Sequence, residues 1–236
     1  MTEAEWLTCE DPREMLEGGW AWPFSERKFR LFGCACCRRI WPLITAPESR
    51  KAVEVSEALA DGRSREGRRA AANGAATMVA RRDRGSAPCA AEEASKRLVR
   101  VYRTGSLLAG WASRTAYFAH EASYTGAYHA AGTADRAAFD VGNRAKVAER
   151  TAQAALIRDI FGNPFRPVAL DPAWLTSDVL LLARGIYEER AFDRMPILAD
   201  ALQDAGCDSA DVLAHCRGDG PHVRGCWVVD LLLGKG

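Results

Sequence analysis

The stretch from His215 to Trp227 holds the densest set of side chains that could do chemistry in this 236-residue chain. Two histidines, two cysteines and two arginines occur there, with several glycines, in what reads as a turn between helices. Cys216, His222 and Cys226 follow a Cys-x5-His-x3-Cys spacing, which brings three zinc-type ligands within a loop's reach of one ion. The stretch therefore predicts a metal site, with zinc as the candidate ion, provided that a fourth ligand arrives from elsewhere.

The cysteine-rich segment near the N-terminus could supply that fourth ligand. Cys34 and Cys37 are i,i+3 neighbours on a predicted helix, so both could point at one site, and we take Cys37 as the candidate. The alternative is that all these cysteines pack in a core, because a buried cysteine behaves as a small hydrophobe. The spacings match no strong zinc signature, so packing is the favoured interpretation of the two.

The same stretch could instead serve thiol catalysis, with either of its cysteines as nucleophile and either of its histidines as base. Its two arginines could lower the thiol pKa. However, His215 and Cys216 are adjacent on a predicted helix and point about 100° apart, which prevents them from pairing. No nucleophile elbow is present either. The pattern leaves an enzymatic role open but favours a protein without catalytic activity.

Arg217 and Arg224 form a candidate contact for an anion or a partner. Glycines surround them, and Pro221 at a helix start would leave backbone N–H groups free for an anion. The simpler alternative, which is favoured, pairs both arginines with acidic residues of neighbouring helices.

The charges are distributed unevenly, although the net charge is only +1. Residues 63–103 carry eleven Lys and Arg against four Asp and Glu, whereas residues 169–216 carry nine acidic residues against three basic ones. The basic stretch could bind the phosphates of a nucleic acid. Because Tyr102 is its one aromatic residue and no helix-turn-helix pattern is recognisable, a solvated helix face is the favoured interpretation.

A polar and aromatic stripe follows one side of a predicted helix in the middle of the chain. The stripe consists of Tyr117, Glu121, Tyr124 and Tyr128. His120 beside Glu121 lacks the second histidine that a zincin or di-iron helix requires. We interpret the stripe as the border of a buried face.

Helix start and stop signals recur along the chain, and strand signals are nearly absent. Ser25 is a predicted N-cap, Pro47 opens a further helix, and a long helix is expected from Thr133 to about Phe161. The apolar residues after Ser25 follow helical spacing at Phe29, Phe32, Cys36, Ile40 and Leu43. We predict an all-α fold, with a bundle of long Ala-rich helices over 1–162 and a compact short-helix unit over 163–236. The two could share one core.

The acidic first residues resemble no signal peptide, and the apolar runs are too short to span a membrane. Eight cysteines without a secretion signal favour a reducing compartment, where thiols stay free or bind metal. We therefore expect a cytoplasmic protein that does not contact a membrane.

Four tryptophans crowd the N-terminal segment, at Trp6, Trp20, Trp22 and Trp41. They are either core anchors or a partner-binding patch, and core is the favoured interpretation. With the polarised charges and the scarcity of assembled polar groups, they favour a non-catalytic interaction or regulatory module whose partner is another protein. Zinc binding is the alternative function, and nucleic-acid binding is a further one.

Both ends of the chain resemble a set of uncharacterised proteins from planctomycete bacteria. The resemblance rests on segments such as MTEAEWLTCEDPREML, RKFRLFGCACCRRIWPLI, RDIFGNPFRPVALDPAW and DVLAHCRGDGPHVRGCWVVDLLLGKG. It covers about half of the chain and leaves the Ala-rich middle unmatched. The resemblance implies a bacterial, cytoplasmic protein, and it transfers no activity, cofactor or functional residue.

Overall fold

The computed structural model describes residues 1–17, 25–95, 106–130 and 136–235. Within these ranges the chain forms twelve α-helices and no β-strand, which confirms the predicted all-α fold. The chain divides into two compact units, unit 1 (Met1–Ala154) and unit 2 (Ala155–Gly236). The sequence placed the division between residues 162 and 163, whereas the structure has it inside a long helix. No helix in the described ranges is long and apolar enough to cross a membrane.

Unit 1 is built from helices that begin at local sequence signals. The side chain of Ser25 accepts a hydrogen bond from the backbone N–H of Lys28 at 3.3 Å, as an N-cap does. The helices are α1 (Glu3–Thr8), α2 (Pro12–Glu17), α3 (Glu26–Arg39), α4 (Pro47–Ala60), α5 (Glu66–Asp83), α6 (Ser86–Ser95) and α7 (Ser106–Ala130). Helix α8 (Arg136–Phe161) begins in unit 1 and ends in unit 2.

The predicted apolar face of α3 is buried, with one exception. Leu43 remains 39% exposed, whereas the other four residues of the face lie in the core. Helix α3 ends at Arg39 and a short 3-10 turn, Trp41–Leu43, follows, so Leu43 leaves the helical register.

The tryptophans of the N-terminal segment have different surroundings. Trp6 is buried in the core of unit 1, in agreement with the core interpretation. Trp41 is half-buried, and the guanidinium of Arg38 lies 4.0 Å from the centre of its ring. Trp20 and Trp22 lie outside the described residues.

Unit 2 consists of the end of α8 and four short helices around a separate core. They are α9 (Ser177–Glu189), α10 (Met195–Asp204), α11 (Ala210–Arg217) and α12 (Trp227–Leu233). Thr176 and Ser209 cap α9 and α11 by accepting backbone hydrogen bonds. The core is formed by apolar positions at helical spacing, including Val179, Ala183, Ile186, Met195, Leu198, Leu202, Val212, Val228 and Leu232. This core holds α11 and α12 in fixed positions, and the connection between them carries the candidate site.

Candidate metal centre

Four potential metal ligands meet in unit 2. Asp159 lies in the last turn of α8, His215 lies in the last turn of α11, and Cys226 is the residue before α12. His222 lies in the connection between α11 and α12, which has no regular secondary structure. One potential ligand atom from each of these residues lies within 4.8 Å of the other three. The group, which we call the four-ligand centre, could hold a metal ion.

The spacing of the ligand atoms leaves room for a tetrahedral site. His215 Nε2 lies 3.2 Å from Cys226 Sγ and 3.2 Å from Asp159 Oδ1. His222 Nδ1 lies 3.0 Å from the same Asp159 Oδ1. A tetrahedral zinc ion with ordinary bond lengths separates its ligands by about 3.4 Å. These three separations are slightly shorter than that value, and the other three pairs of ligand atoms lie within 4.8 Å of one another.

The geometry does not fit a catalytic relay of cysteine, histidine and aspartate. In such a relay one imidazole nitrogen faces the nucleophile and the other faces the carboxylate. Here Cys226 Sγ and Asp159 Oδ1 both approach the same nitrogen, Nε2 of His215. A single ring nitrogen carries either one proton or one lone pair, so it serves both neighbours poorly. A cation between the three atoms would satisfy all of them.

The electrostatics of the centre also favour a cation. Asp159 is 2% exposed and Cys226 is fully buried. Burial alone would raise the pKa of Asp159, but the hydrogen bonds with His215 and His222 outweigh it and lower the pKa. Burial raises the pKa of Cys226 well above 9, and the charge of Asp159 adds to this effect. A thiol in this setting is protonated and unreactive until a cation stabilises the thiolate.

Contacts around the ligands fix their orientation. Asp159 Oδ2 accepts a hydrogen bond from the backbone N–H of Val223 at 2.9 Å, which leaves Oδ1 for the centre. The rings of His215 and His222 are 4.8 Å apart and nearly perpendicular. The ring of Trp227 lies 5.2 Å from that of His215 and covers one side of it. The hydrogen bond to Asp159 is an outer contact of the kind that metal ligands usually have, whereas Nε2 of His222 is buried without a hydrogen-bond partner among the described residues.

Two of the four residues taken from the sequence as metal ligands are in the centre. His222 and Cys226 are brought together, but Cys216 and Cys37 are not among the converging residues. Cys216 is buried in the core of unit 2, where burial raises the pKa of its thiol to about 12. Cys37 is buried in α3 of unit 1, and burial raises its pKa well above 9.

Asp159 and His215 are the two candidate ligands that the sequence did not identify. His215 was considered as a catalytic base, but its neighbour Cys216 was preferred as the ligand. The core face of α11 is set by Val212 and Cys216, which are one helical turn apart, so His215 is turned towards the centre. The sequence signal for Asp159 was its position as an acidic residue in the mostly apolar segment 154–161. A carboxylate that is buried in such a segment needs a hydrogen-bonding or charged partner.

The arginines proposed as anion or partner contacts bind groups of the protein itself. Arg217 donates hydrogen bonds to Asp200 at 2.9 Å and to Gln203 at 2.6 Å. Arg224 donates to the backbone carbonyl of Tyr187 at 3.2 Å and lies over the ring of that residue. Both are therefore engaged within unit 2.

The basic stretch is partly neutralised within unit 1. Arg69 is buried in α5 and forms an ion pair with Glu66 at 2.8 Å. Arg68, Arg81 and Arg84 are exposed. Arg63 and Arg82 pair with Asp61 and Asp83. Four further basic residues of the stretch, Lys96, Arg97, Arg100 and Arg103, lie outside the described residues.

The chain matches no protein-family model, no curated protein and no solved structure. The arrangement of the four-ligand centre therefore carries the functional argument.

Proposed function

We propose that unit 2 is a zinc-binding module and that its ion is held by Asp159, His215, His222 and Cys226. The observation that carries this proposal is that four ligand atoms, from two helices and from the connection between α11 and α12, lie within 4.8 Å of one another. The four residues span positions 159 to 226 of the sequence. Local chain geometry cannot produce such a cluster, so the tertiary fold must assemble it.

The donor types favour zinc over other common ions. Calcium and magnesium prefer all-oxygen sites, whereas this centre offers one sulfur, two nitrogens and one oxygen. Zinc accepts this mixture and favours four ligands in a tetrahedron. The thiolate of Cys226 and the carboxylate of Asp159 together would neutralise the two positive charges of the ion.

A structural role for the ion is the role that the centre supports best. The four side chains would fill all four positions around a tetrahedral ion, which would leave none open for water or substrate. The ion would connect the end of α8 with residues 218–226, a segment without helix, and with the start of α12. A rigid helical module of this kind would suit the non-catalytic interaction role that the sequence favours.

The test is metal analysis of matched cysteine variants in the full chain. Cys226→Ser removes a proposed ligand, and Cys216→Ser changes a second buried cysteine of the same core. Elemental mass spectrometry of untagged, purified protein should find stoichiometric zinc in the wild type and in Cys216→Ser. It should find little zinc in Cys226→Ser. Circular dichroism of each sample reports whether the helices are intact.

Two results would contradict the proposal. One is a wild-type protein that stays free of metal even after incubation with zinc under reducing conditions. The other is a helical Cys226→Ser protein that keeps its full zinc content.

A further inference from the structure

Unit 1 contains a cleft that the proposed zinc function does not use. Its volume is about 410 Å³, which lies within the usual range of small-molecule sites. Residues of α2, α7 and α8 line it, and all of them belong to unit 1. The lining includes Arg13, Arg114, Tyr117, His120, Lys146 and Arg150. We refer to it as the α2–α7–α8 cleft.

The charge of the cleft is positive. Four of its lining side chains are arginine or lysine, and two, Asp11 and Glu17, are acidic. His120 adds no charge at neutral pH, because burial and the nearby Lys146 lower its pKa to about 4. Lys146 forms an ion pair with Glu121, which does not line the cleft, so the cations that an entering anion would meet are Arg13, Arg114 and Arg150.

Ion pairs hold the arginines of the cleft in place and leave some of their N–H donors unused. Arg150 pairs with Asp11, and Arg13 pairs with Glu17 at 3.0 Å. A guanidinium has five N–H donors in a rigid plane, and one carboxylate uses at most two of them. The remaining donors of each arginine can bind a phosphate.

An exposed aromatic ring lies beside these cations. Tyr117 lines the cleft, and it is 51% exposed. Its ring packs edge-on against the ring of His120, with centroids 5.3 Å apart. A supported but exposed aromatic face next to arginines is the arrangement on which planar nucleobases stack while their phosphates bind the cations.

We propose that the α2–α7–α8 cleft binds a small nucleotide, with the base against Tyr117 and the phosphate among Arg13, Arg114 and Arg150. The cations account for the phosphate and the ring accounts for the base. Since the whole cleft lies in unit 1, the nucleotide proposal does not depend on the zinc proposal, and each can be tested without the other.

Isothermal titration of the full chain with three probes tests the assignment. AMP should bind with a dissociation constant below about 1 mM, and both adenosine and inorganic phosphate should bind at least about tenfold more weakly. Raising the salt concentration should weaken AMP binding, because part of the attraction is between charges.

Exposed side chains allow variants that keep the fold intact. Tyr117→Ala should weaken AMP binding about tenfold, and Tyr117→Phe should leave it nearly unchanged. Arg13→Gln, at a side chain that is 74% exposed, should weaken it several-fold. Phe139→Ala and Arg82→Gln serve as controls, because both residues are exposed in unit 1 outside the cleft.

Three outcomes would overturn the proposal. The first is no AMP binding at concentrations up to about 5 mM, well above the expected dissociation constant. The second is equal affinity for AMP and inorganic phosphate, which would make the cleft a simple anion site. The third is a Tyr117→Ala protein that binds AMP as the wild type does.

Discussion

The Nε2 atom of His215 lies 3.2 Å from the Sγ atom of Cys226. The same nitrogen lies 3.2 Å from an oxygen of Asp159, and that oxygen lies 3.0 Å from His222. The three contacts link Cys226, His215, Asp159 and His222 in succession, and the four ligand atoms all lie within 4.8 Å of one another. A bound cation among these atoms would relieve the competition for the nitrogen of His215 and would compensate the buried carboxylate.

A variant that removes the charge of Asp159 but keeps the shape of the side chain should bind zinc more weakly. In Asp159→Asn the amide oxygen can still accept the hydrogen bond from Val223, but a neutral amide is a poor zinc ligand. We expect the zinc affinity to fall by at least about tenfold, measured by competition with a fluorescent chelator. Asp200→Asn, an exposed partner of Arg217, is the control and should bind zinc normally. Equal affinities in the two variants would remove Asp159 from the ligand set.

A side chain at Gly162 should disturb the centre through Trp227. Gly162 has a φ of +70°, and a Cβ atom there would lie 3.2 Å from Cγ of Trp227. Gly162→Ala should therefore cost more than the roughly 1 kcal/mol of backbone strain, and it should weaken zinc binding because Trp227 packs on His215.

Gly206→Ala is the matched control for this prediction. Gly206 has a φ of +87°, but a Cβ atom there would meet nothing within 4 Å. It should lose stability through backbone strain alone and keep its zinc affinity. The prediction for Gly162 is wrong if chemical denaturation and zinc titration give the same changes for both variants.

Acidification should destabilise unit 1 through His120. Burial and Lys146 lower the pKa of His120 from 6.5 to about 4, so the unfolded chain binds this proton more readily than the folded one. The contribution of neutral His120 to the free energy of unfolding is fully present above pH 6.5 and is lost as the pH falls towards 4. In urea denaturation, the free energy of unfolding of His120→Gln should fall less steeply over this pH interval than that of the wild type.

His129→Gln is the control for the pH prediction, because His129 is an exposed histidine of the same helix. It should follow the pH dependence of the wild type. Parallel curves for His120→Gln and the wild type would show that His120 is not responsible.

Thiol accessibility should separate the cysteines into two groups. Cys9 and Cys89 are partly exposed, whereas the other six are buried. Alkylation of the zinc-loaded native protein, followed by peptide mass spectrometry, should label the two exposed thiols first. Adding a chelator should then make Cys226 reactive, because residues 218–226 lose the ion that holds them. Rapid labelling of Cys226 before chelation would contradict a bound thiolate.

Much of the secondary structure follows from local sequence, because caps and breakers act over a few residues. Ser25 caps α3, Pro47 opens α4, and α8 ends at Phe161, as the sequence predicts. Leu43 differs because a proline before it ended the helix earlier than the apolar spacing indicated.

The sequence by itself determined that His222 and Cys226 belong together, since four positions of one connection keep them close in any fold. Only the tertiary structure decided that Asp159 joins them, because α8 must pack against the α11–α12 connection to bring it there. The choice of His215 over Cys216 was decided in the same way. Burial of Val212 and Cys216 fixes the orientation of α11 about its axis. Turning α11 by one residue, about 100°, would point Cys216 at the centre and would bury His215 in the core.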